Sequence, residues 1–554
     1  MSGMIVPSEA GQQPEPPTQQ AQTVPSVRVA DNADVQARAL DGALWTGASF
    51  LLGFPLAFAG TVLVARLLGS NSYGSLAYYT LSIALVSTVA DLGLAGSMIQ
   101  WAGRAHARGD SREYNALASK YTRTHIMIQA PIVIAGSFLV FHKSGTLSAM
   151  LLTACLVVTL YLTTAATALN AAQRSASLAK FSLVGNTLTQ VGCVVVALVF
   201  QSALSVMACR IIFGAVPLLL ALRYASPETR RASLSPRIQI RWPAGFKAYG
   251  GLGLITGIIS LLVYGRSEIF VLTYYSAPSA VIGAFALAQG VSAQLTGPLD
   301  ALMGPLIPAA AGLASTGTAA LEAGMRRALR ISALLSGVIN VTAVPALFAV
   351  FHLIYGREYD SGALLFMILA IGSTAQSAAI PLAALLSGRR AGRALLRVQS
   401  FALVVDAALA FSLVPAMGVY GAALANLGGQ LTAFTLLCAA AGRNSPGGGK
   451  TVAIDLIAYW CSLPSFAAAL SLLMVVRVND AAVGETIVAV LAVILVGLGG
   501  FVTLVRLVGG CVTQADATSI GGTLSSRMLV LGRGSSRVFG LLLRSEESSA
   551  SRRM

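Results

Sequence analysis

A series of long apolar segments, separated by short polar ones, constrains this chain more than any other feature. Most of them hold the roughly 20 residues that a helix needs to cross the hydrocarbon core of a membrane. Only 10% of the 554 residues are charged, whereas a soluble domain carries roughly a quarter. We therefore predict an all-α polytopic membrane protein of about fourteen transmembrane helices. The predicted spans are 43–65, 76–101, 124–142, 146–170, 181–201, 204–223, 248–273, 280–305, 331–354, 361–387, 398–415, 418–441, 454–476 and 483–505.

The basic residues between these spans predict the orientation of the chain. If the spans alternate in direction, 31 of the 37 Lys and Arg residues fall on one side, 4 on the other and 2 inside helices. Cytoplasmic segments collect basic residues, so both termini should lie in the cytoplasm. The net charge of +16 therefore reflects membrane topology and predicts no nucleic-acid partner. The external loops are short, which argues against an enzyme with an external catalytic domain.

The sequence contains an internal repeat with a shift of about 209 residues, which places residues 73–77 on 282–286 and Asp91 on Asp300. Six spans per copy is an even number, so both copies enter the membrane in the same orientation. Transporters with such parallel repeats hold the substrate between the two halves. The predicted organisation is a disordered cytoplasmic tail at 1–41, a first six-helix lobe at 42–224, a cytoplasmic linker at 225–247, a second six-helix lobe at 248–441, two extra helices at 454–508 and a basic cytoplasmic tail at 509–554.

Charged and polar residues within the spans are the candidate site residues, because charges at membrane depth usually face the bundle interior or a water-filled cavity. On one predicted helix Thr80, Ser87 and Asp91 share a face, and the repeat pairs them with Gln289, Thr296 and Asp300. These stripes predict either a polar lining or contacts between helices. The candidates for a substrate cavity or gate are Arg266, Glu268, Asp91, Asp300, Arg66, Arg210, Gln289 and Thr80.

The candidates differ in the role that their chemistry suggests. Arg266 suits a pyrophosphate, which a guanidinium binds through two hydrogen bonds, or it locks the two lobes together. Glu268 is two residues away and should face another direction, where it takes up a coupling proton or has a structural role. Arg66 is predicted at an external helix end, as a structural or gate residue. Arg210 and Asp406 are candidates for an internal ion pair.

The chain has no sequence signature of catalysis, a cofactor or a metal. Its four histidines show no ligand spacing, and its six cysteines lack metal-type spacing. Residues 447–451 resemble the end of a nucleotide-binding P-loop, but Asn444 stands where the motif needs glycine. We therefore predict no ATP site, and the energy for transport should come from an ion gradient or from the flow of cargo.

Several short motifs occur in the order found in one family of transporters. They lie at Ala65–Gly74, Ala90–Leu94, Ala107–Asp110, Gly265–Leu272, Val281–Phe285 and Tyr355–Tyr359. In these motifs the chain resembles the oligosaccharide and polysaccharide flippases of the multidrug/oligosaccharidyl-lipid/polysaccharide (MOP) superfamily. The resemblance implies a bacterial inner-membrane flippase, not an enzyme, that moves a polyprenyl-pyrophosphate-linked oligosaccharide to the outer leaflet by alternating access.

The implied partners are the lipid-linked oligosaccharide, the membrane lipids, and a polysaccharide polymerase or glycosyltransferases of the same pathway. Two other functions within the same superfamily stay open. One is an ion-coupled multidrug antiporter, for which twelve helices suffice. The other is a flippase for a peptidoglycan precursor.

Overall fold

The computed structural model describes residues 32–142, 145–172, 174–234, 241–264, 267–303, 318–389, 391–443, 448–476 and 483–509. These residues form helices joined by short connections. The first group is α1 (Asn32–Asp91), α2 (Leu94–Ala107), α3 (Ser111–Thr124), α4 (Ala130–Phe141), α5 (Thr146–Ala171), α6 (Ser175–Phe200), α7 (Ala203–Gly214), α8 (Val216–Tyr224) and α9 (Pro227–Leu234), with a π-helical turn at His125–Gln129 between α3 and α4.

The second group begins after the connection that precedes Phe246. It is α10 (Phe246–Tyr264), α11 (Glu268–Tyr274), α12 (Ser279–Met303), α13 (Thr318–Val341), α14 (Ala343–Tyr355), α15 (Asp360–Gly388), α16 (Gly392–Met417) and α17 (Val419–Arg443), with a 3-10 turn at Arg357–Tyr359. The C-terminal group is α18 (Gly448–Asp455), α19 (Ile457–Val476) and α20 (Val483–Val508).

Within the described residues, twelve helical stretches are long and apolar enough to span a membrane, or thirteen if the bent pair α18–α19 is one span. The stretch Leu52–Asp91 has 40 residues, about 60 Å at 1.5 Å per residue, which is twice the thickness of the hydrocarbon core. Gly69 interrupts it with non-helical φ and ψ angles of 69° and 169°, so it holds two spans. The chain is a multi-pass all-α membrane protein, as predicted.

The helix boundaries differ from the predicted ones in several places. The predicted span 76–101 breaks at Leu92 and Gly93, which have φ angles of 53° and 67°. The span predicted at 124–142 is the end of a longer helical run that starts at Ser111. A stretch of high hydropathy marks only the part of a helix within the hydrocarbon, so polar helical ends are missed. The predicted span 248–273 is likewise not one helix, since α10 ends at Tyr264 and α11 begins at Glu268.

The two chain ends are described only in part. Helix α1 begins at Asn32, so residues 32–41, predicted as part of a disordered tail, are helical. This stretch contains Ala, Gln, Arg and Leu and neither glycine nor proline, a composition that favours helix. The rest of the predicted N-terminal tail, and the C-terminal tail beyond Gly509, lie outside the described residues.

The C-terminal helices pack against the second group through polar contacts. The buried carboxylate of Asp455, where α18 meets α19, accepts hydrogen bonds from Arg326 at 2.7 Å and Arg330 at 3.0 Å, both on α13. Deeper along the same helices, Asn340 donates to the Ser462 hydroxyl at 3.3 Å. A closely fitting glycine, Gly337, lies against the ring of Phe501 on α20. These contacts attach α18–α20 to one side of the second group of helices. The opposite side of the second group faces the first group.

Candidate functional site

A cavity of about 540 Å³ lies between the first and second groups of helices. Helices α1, α6 and α7 contribute one wall, and α10 and α12 contribute the other. Its polar lining residues, apart from Arg210, are Ser49, Thr61, Tyr73, Thr80, Asn186, Thr187, Gln190 and Gln294. Its larger apolar lining residues are Phe54, Leu56, Leu81 and Leu261. This mixture of amides, hydroxyls and apolar side chains suits a ligand with both polar and apolar parts.

Among the described residues that line the cavity, the positively charged one is Arg210, on α7. Its Nη1 lies 3.3 Å from the Thr80 hydroxyl oxygen on α1, to which it donates a hydrogen bond. No Asp or Glu is among the cavity residues that the structure describes. A guanidinium stays charged at any working pH. A half-buried positive charge with a neutral partner in a cleft is well placed to bind an anion.

The two groups of helices touch at one end of the cavity through a pair of glycines. Helix α12 crosses α1 so closely that a Cβ atom on Gly74 would collide with the Ser279 carbonyl oxygen and lie 3.0 Å from the Gly283 nitrogen. A Cβ atom on Gly283 would likewise collide with the Ser70 carbonyl oxygen. We call this crossing the Gly74 contact. Because backbone faces backbone, no side chain could move aside to admit a larger residue.

Hydrogen bonds between α1 and residues 353–359 reinforce the Gly74 contact. The Arg66 guanidinium donates to the Leu353 carbonyl, and the Tyr359 hydroxyl donates to the Ala65 carbonyl at 3.1 Å. The backbone N–H of Ser70 donates to the Glu358 carboxylate at 3.2 Å. Arg66 thus connects the two groups of helices, and its role as a structural or gate residue stays a prediction.

The two groups also touch at the opposite end of the cavity, at the break between α1 and α2. A Cβ atom on Gly93 would collide with the Gly250 carbonyl oxygen of α10 and lie 2.7 Å from the Leu254 nitrogen. Beside it, the Ser97 hydroxyl donates to the Phe246 carbonyl at 3.1 Å. We call this the Gly93 contact. Its separation from Gly74 along the chain corresponds to about 28 Å of helix, so the cavity is bounded at both ends.

Asp91 stabilises the helix break at the Gly93 contact. Its carboxylate accepts a hydrogen bond from the Ala95 backbone N–H at 3.2 Å, which satisfies one of the unpaired donors at the start of α2. Its own carbonyl accepts from the Gln129 amide at 3.0 Å. Asp91 therefore holds the α1–α2 corner at the Gly93 contact and is not among the described cavity residues, so a role at a gate stays a prediction.

A second polar centre lies inside the second group of helices. Glu268 on α11 is fully buried and accepts a hydrogen bond from the Asn426 amide at 2.7 Å. Asp406 on α16 lies beside it and accepts from the Ser267 hydroxyl at 3.2 Å. Gln430 in turn donates to the Asn426 amide oxygen at 2.7 Å. Two buried carboxyl groups in contact are costly to ionise together.

Comparison with protein families places the chain. The sequence of residues 63–363 matches a family described as "Polysaccharide biosynthesis protein". The chain belongs to this family. The match covers more than half of the chain and includes both contacts and most of the cavity, and it confirms the resemblance to the polysaccharide branch of the MOP superfamily. No curated protein matches the chain.

Solved structures show that this family member shares a fold with known transporters. A "Lipid II flippase MurJ, inward closed conformation" superposes with a TM-score of 0.62 at 12% identity and covers 84% of this chain and 98% of that one. An inward-facing MATE multidrug transporter of the MOP superfamily gives 0.53 at 13% identity, covering 69% and 93%. The eukaryotic MATE transporter AtDTX14 gives 0.51 at 16% identity, covering 76% and 98%.

The structure brings two of the predicted site residues of this family member together in the cavity, namely Thr80 and Arg210. Glu268 and Gln289 are buried among helices and are not among the described cavity residues, which leaves the other roles named for them open. The guess of an Arg210–Asp406 ion pair is also wrong, because Arg210 contacts Thr80 and Asp406 lies beside Glu268.

Arg266 lies outside the described residues, so its role stays a prediction. Asp300 lies on α12, but its side chain is likewise outside them. Three amides of the cavity were not predicted from the sequence, namely Asn186, Gln190 and Gln294. Asn186 and Gln190 lie four residues apart within an apolar span, a spacing that puts both on one helix face. That spacing was a usable signal.

Proposed function

We propose that this chain is a flippase that moves a polyprenyl-pyrophosphate-linked oligosaccharide from the inner to the outer leaflet for export of a cell-envelope polysaccharide. The observation that carries the proposal is Arg210, a cation that projects into the cavity with Thr80 as its neutral partner. A guanidinium binds a pyrophosphate in bidentate fashion. Around it, Asn186, Thr187 and Gln190 offer the donors and acceptors that sugar hydroxyl groups need.

Transport by this chain proceeds by alternating access between the two contacts. In the arrangement described here the Gly74 and Gly93 contacts are both closed, so the two groups of helices meet at both ends of the cavity. Opening of the Gly93 contact would admit a head group from one side, and opening of the Gly74 contact would release it on the other. Each contact is centred on a glycine, where backbone crosses backbone. The repeat symmetry of the two lobes supports this rocking motion.

The carboxyl pair Glu268 and Asp406 couples transport to an ion gradient. Their buried position within one lobe, where the Ser267 hydroxyl donates to Asp406 and the Asn426 amide nitrogen donates to Glu268, suits the uptake of a proton or a monovalent cation. Loading the pair would change the charge balance among α11, α16 and α17, and so bias the packing of the second lobe. The sequence has no nucleotide-binding motif that would supply energy in another way.

Replacing Glu268 by Gln should abolish this coupling without unfolding the protein. Gln has nearly the same shape, and removing one of two adjacent buried carboxyl groups removes an electrostatic penalty. In proteoliposomes, E268Q should therefore lose the acceleration that an imposed pH or sodium gradient gives to the wild type, and its melting temperature should be unchanged or higher. E113Q, at an exposed ion pair with Arg108, is the matched control. Gradient-dependent transport by E268Q would contradict the assignment.

The protein resides in a bacterial inner membrane with both termini in the cytoplasm. The distribution of 31 basic residues on one side against 4 on the other supports this orientation. It places the Gly93 contact towards the cytoplasm and the Gly74 contact towards the outside. A reporter fused at residue 143 or 357 that reads as cytoplasmic would contradict it. The expected partners are the glycosyltransferases that build the lipid-linked sugar and a polymerase that consumes it. The chain itself is proposed to move the cargo without making or breaking a covalent bond in it.

Lipid analysis of a deletion strain tests the proposed cargo. Loss of the gene should cause a polyprenyl-pyrophosphate-linked oligosaccharide to accumulate on the inner leaflet, protected from reagents added outside the cell. Expression of the chain in trans should clear it. Accumulation of lipid-linked peptidoglycan precursor instead would assign a different cargo to the same cavity, and an unchanged lipid profile would contradict the proposal.

A further inference from the structure

A second pocket lies outside the central cavity, beside the Gly93 contact. It has a volume of about 420 Å³, and three basic residues line it: Lys120 on α3, and Arg241 and Lys247 at the start of the second group of helices. No Asp or Glu is among its described lining residues. Lys120 also lies within electrostatic range of Arg123. Three positive charges around one pocket create a positive potential that attracts an anion.

Aromatic residues hold this pocket in shape. The Lys120 ammonium lies 4.9 Å from the centre of the Trp242 ring, a cation–π distance. The Trp242 ring stacks on Phe246 with centroids 4.1 Å apart, and Phe246 packs against Trp101 at 5.5 Å. Phe246 is completely buried. The aromatic packing therefore holds the pocket wall beside the basic groups in place.

The surroundings of the pocket indicate where its anion comes from. Tryptophan is enriched at the membrane–water interface, and basic pockets between transmembrane helices bind the head groups of anionic lipids. Arg241 and Lys247 are exposed, and Trp242 is half-buried. We propose that this pocket binds the phosphate of a membrane lipid, with Lys120, Arg241 and Lys247 as its ligands and Trp242 as the platform beside the head group.

A bound phosphate would join the two halves of the transporter. Lys120 belongs to the first group of helices, whereas Arg241 and Lys247 flank the start of α10 in the second. A phosphate shared between them would strengthen the adjacent Gly93 contact, where Ser97 meets Phe246. Lipid occupancy would then favour closure at this end. The inference does not depend on which cargo occupies the central cavity.

The test measures lipid binding to the full-length protein. The wild type in neutral detergent should be titrated with phosphatidylglycerol, with polyprenyl diphosphate and with inorganic pyrophosphate, and binding read from the melting temperature and from native mass spectrometry. The double variant K120Q/K247Q should lose affinity for the lipid phosphate roughly tenfold or more, because two charge-assisted contacts disappear. K450Q, an exposed lysine on α18, should bind like the wild type.

The outcomes separate the possible sources. Loss of phosphatidylglycerol binding in the double variant supports a phospholipid site, and loss of polyprenyl diphosphate binding alone supports a waiting site for the cargo. Equal lipid binding by wild type and double variant, or binding of inorganic pyrophosphate only, would overturn the inference. The melting temperature without lipid shows whether the double variant is folded. If it is not, the single variant K247Q, at an exposed position, should give the smaller loss expected for one contact.

Discussion

Replacing Arg210 by Ala should reduce transport on the order of tenfold to a hundredfold while the protein still inserts and folds. Among the described residues that line the cavity, Arg210 carries the positive charge. Its guanidinium donates a hydrogen bond of 3.3 Å to the neutral Thr80 hydroxyl. Its removal therefore leaves no buried counter-charge unpaired. A charge-assisted hydrogen bond to a pyrophosphate contributes about 1.5–3 kcal/mol, which sets the expected loss of affinity. Initial transport rates in proteoliposomes at several cargo concentrations measure it.

Two further variants make this experiment specific. R210K keeps the charge without the planar fork and should restore transport only in part. R443A, which removes an exposed arginine at the end of α17, should transport like the wild type. If R210A transports normally at normal abundance, Arg210 does not bind the cargo. If it is degraded, its hydrogen bond to Thr80 is primarily structural, and T80A should then be degraded as well.

Gly283→Ala should disfavour closure of the Gly74 contact and slow the transport cycle. The added methyl group would collide with the Ser70 carbonyl oxygen and lie 3.1 Å from the Gly74 nitrogen. Overpacking of this kind costs about 1–3 kcal/mol, which lowers the population of the closed state by about fivefold to more than a hundredfold. The cost falls only on the closed contact, so the lobes themselves should remain folded.

Labelling of the cavity distinguishes this effect from unfolding. A cysteine introduced at Ala84, which lines the cavity, should react faster from the Gly74 side in G283A than in the wild type. Gly499 lies on α20 with open space around it. G499A is the matched control, because it has the same change in helix propensity without a collision. Unchanged labelling and unchanged transport in G283A would mean that this contact does not open and close during transport.

The sequence predicted the positions of the helices better than it predicted which of their side chains line the cavity and which are buried. Hydropathy identifies residues within the membrane, and the spans found this way agree with the described helices because only satisfied backbones can cross lipid. It does not say which face of a helix meets a neighbour. The repeat pairs Thr80 with Gln289, yet Thr80 lines the cavity and Gln289 is buried. Equivalent positions in two copies therefore differ in environment, because each lobe packs against different helices.

The polar centres required tertiary contacts that a sequence does not contain. Glu268 and Asp406 lie far apart along the chain, and the packing of α11 against α16 brings them together. The Gly74 and Gly93 contacts depend on close approaches of backbone to backbone. The sequence does not distinguish these two glycines from the many others of this chain. By contrast, an arginine within an apolar span is conspicuous, and Arg210 was identified for that reason.

The most direct test of this account is the movement of cargo by the purified protein alone. Liposomes that contain the chain and a fluorescent polyprenyl-pyrophosphate-linked oligosaccharide should show transfer of the lipid between leaflets without ATP. The account predicts that this transfer is present in the wild type and reduced on the order of tenfold or more in R210A. Transfer that requires ATP, or that is equally fast in R210A and the wild type, would contradict it.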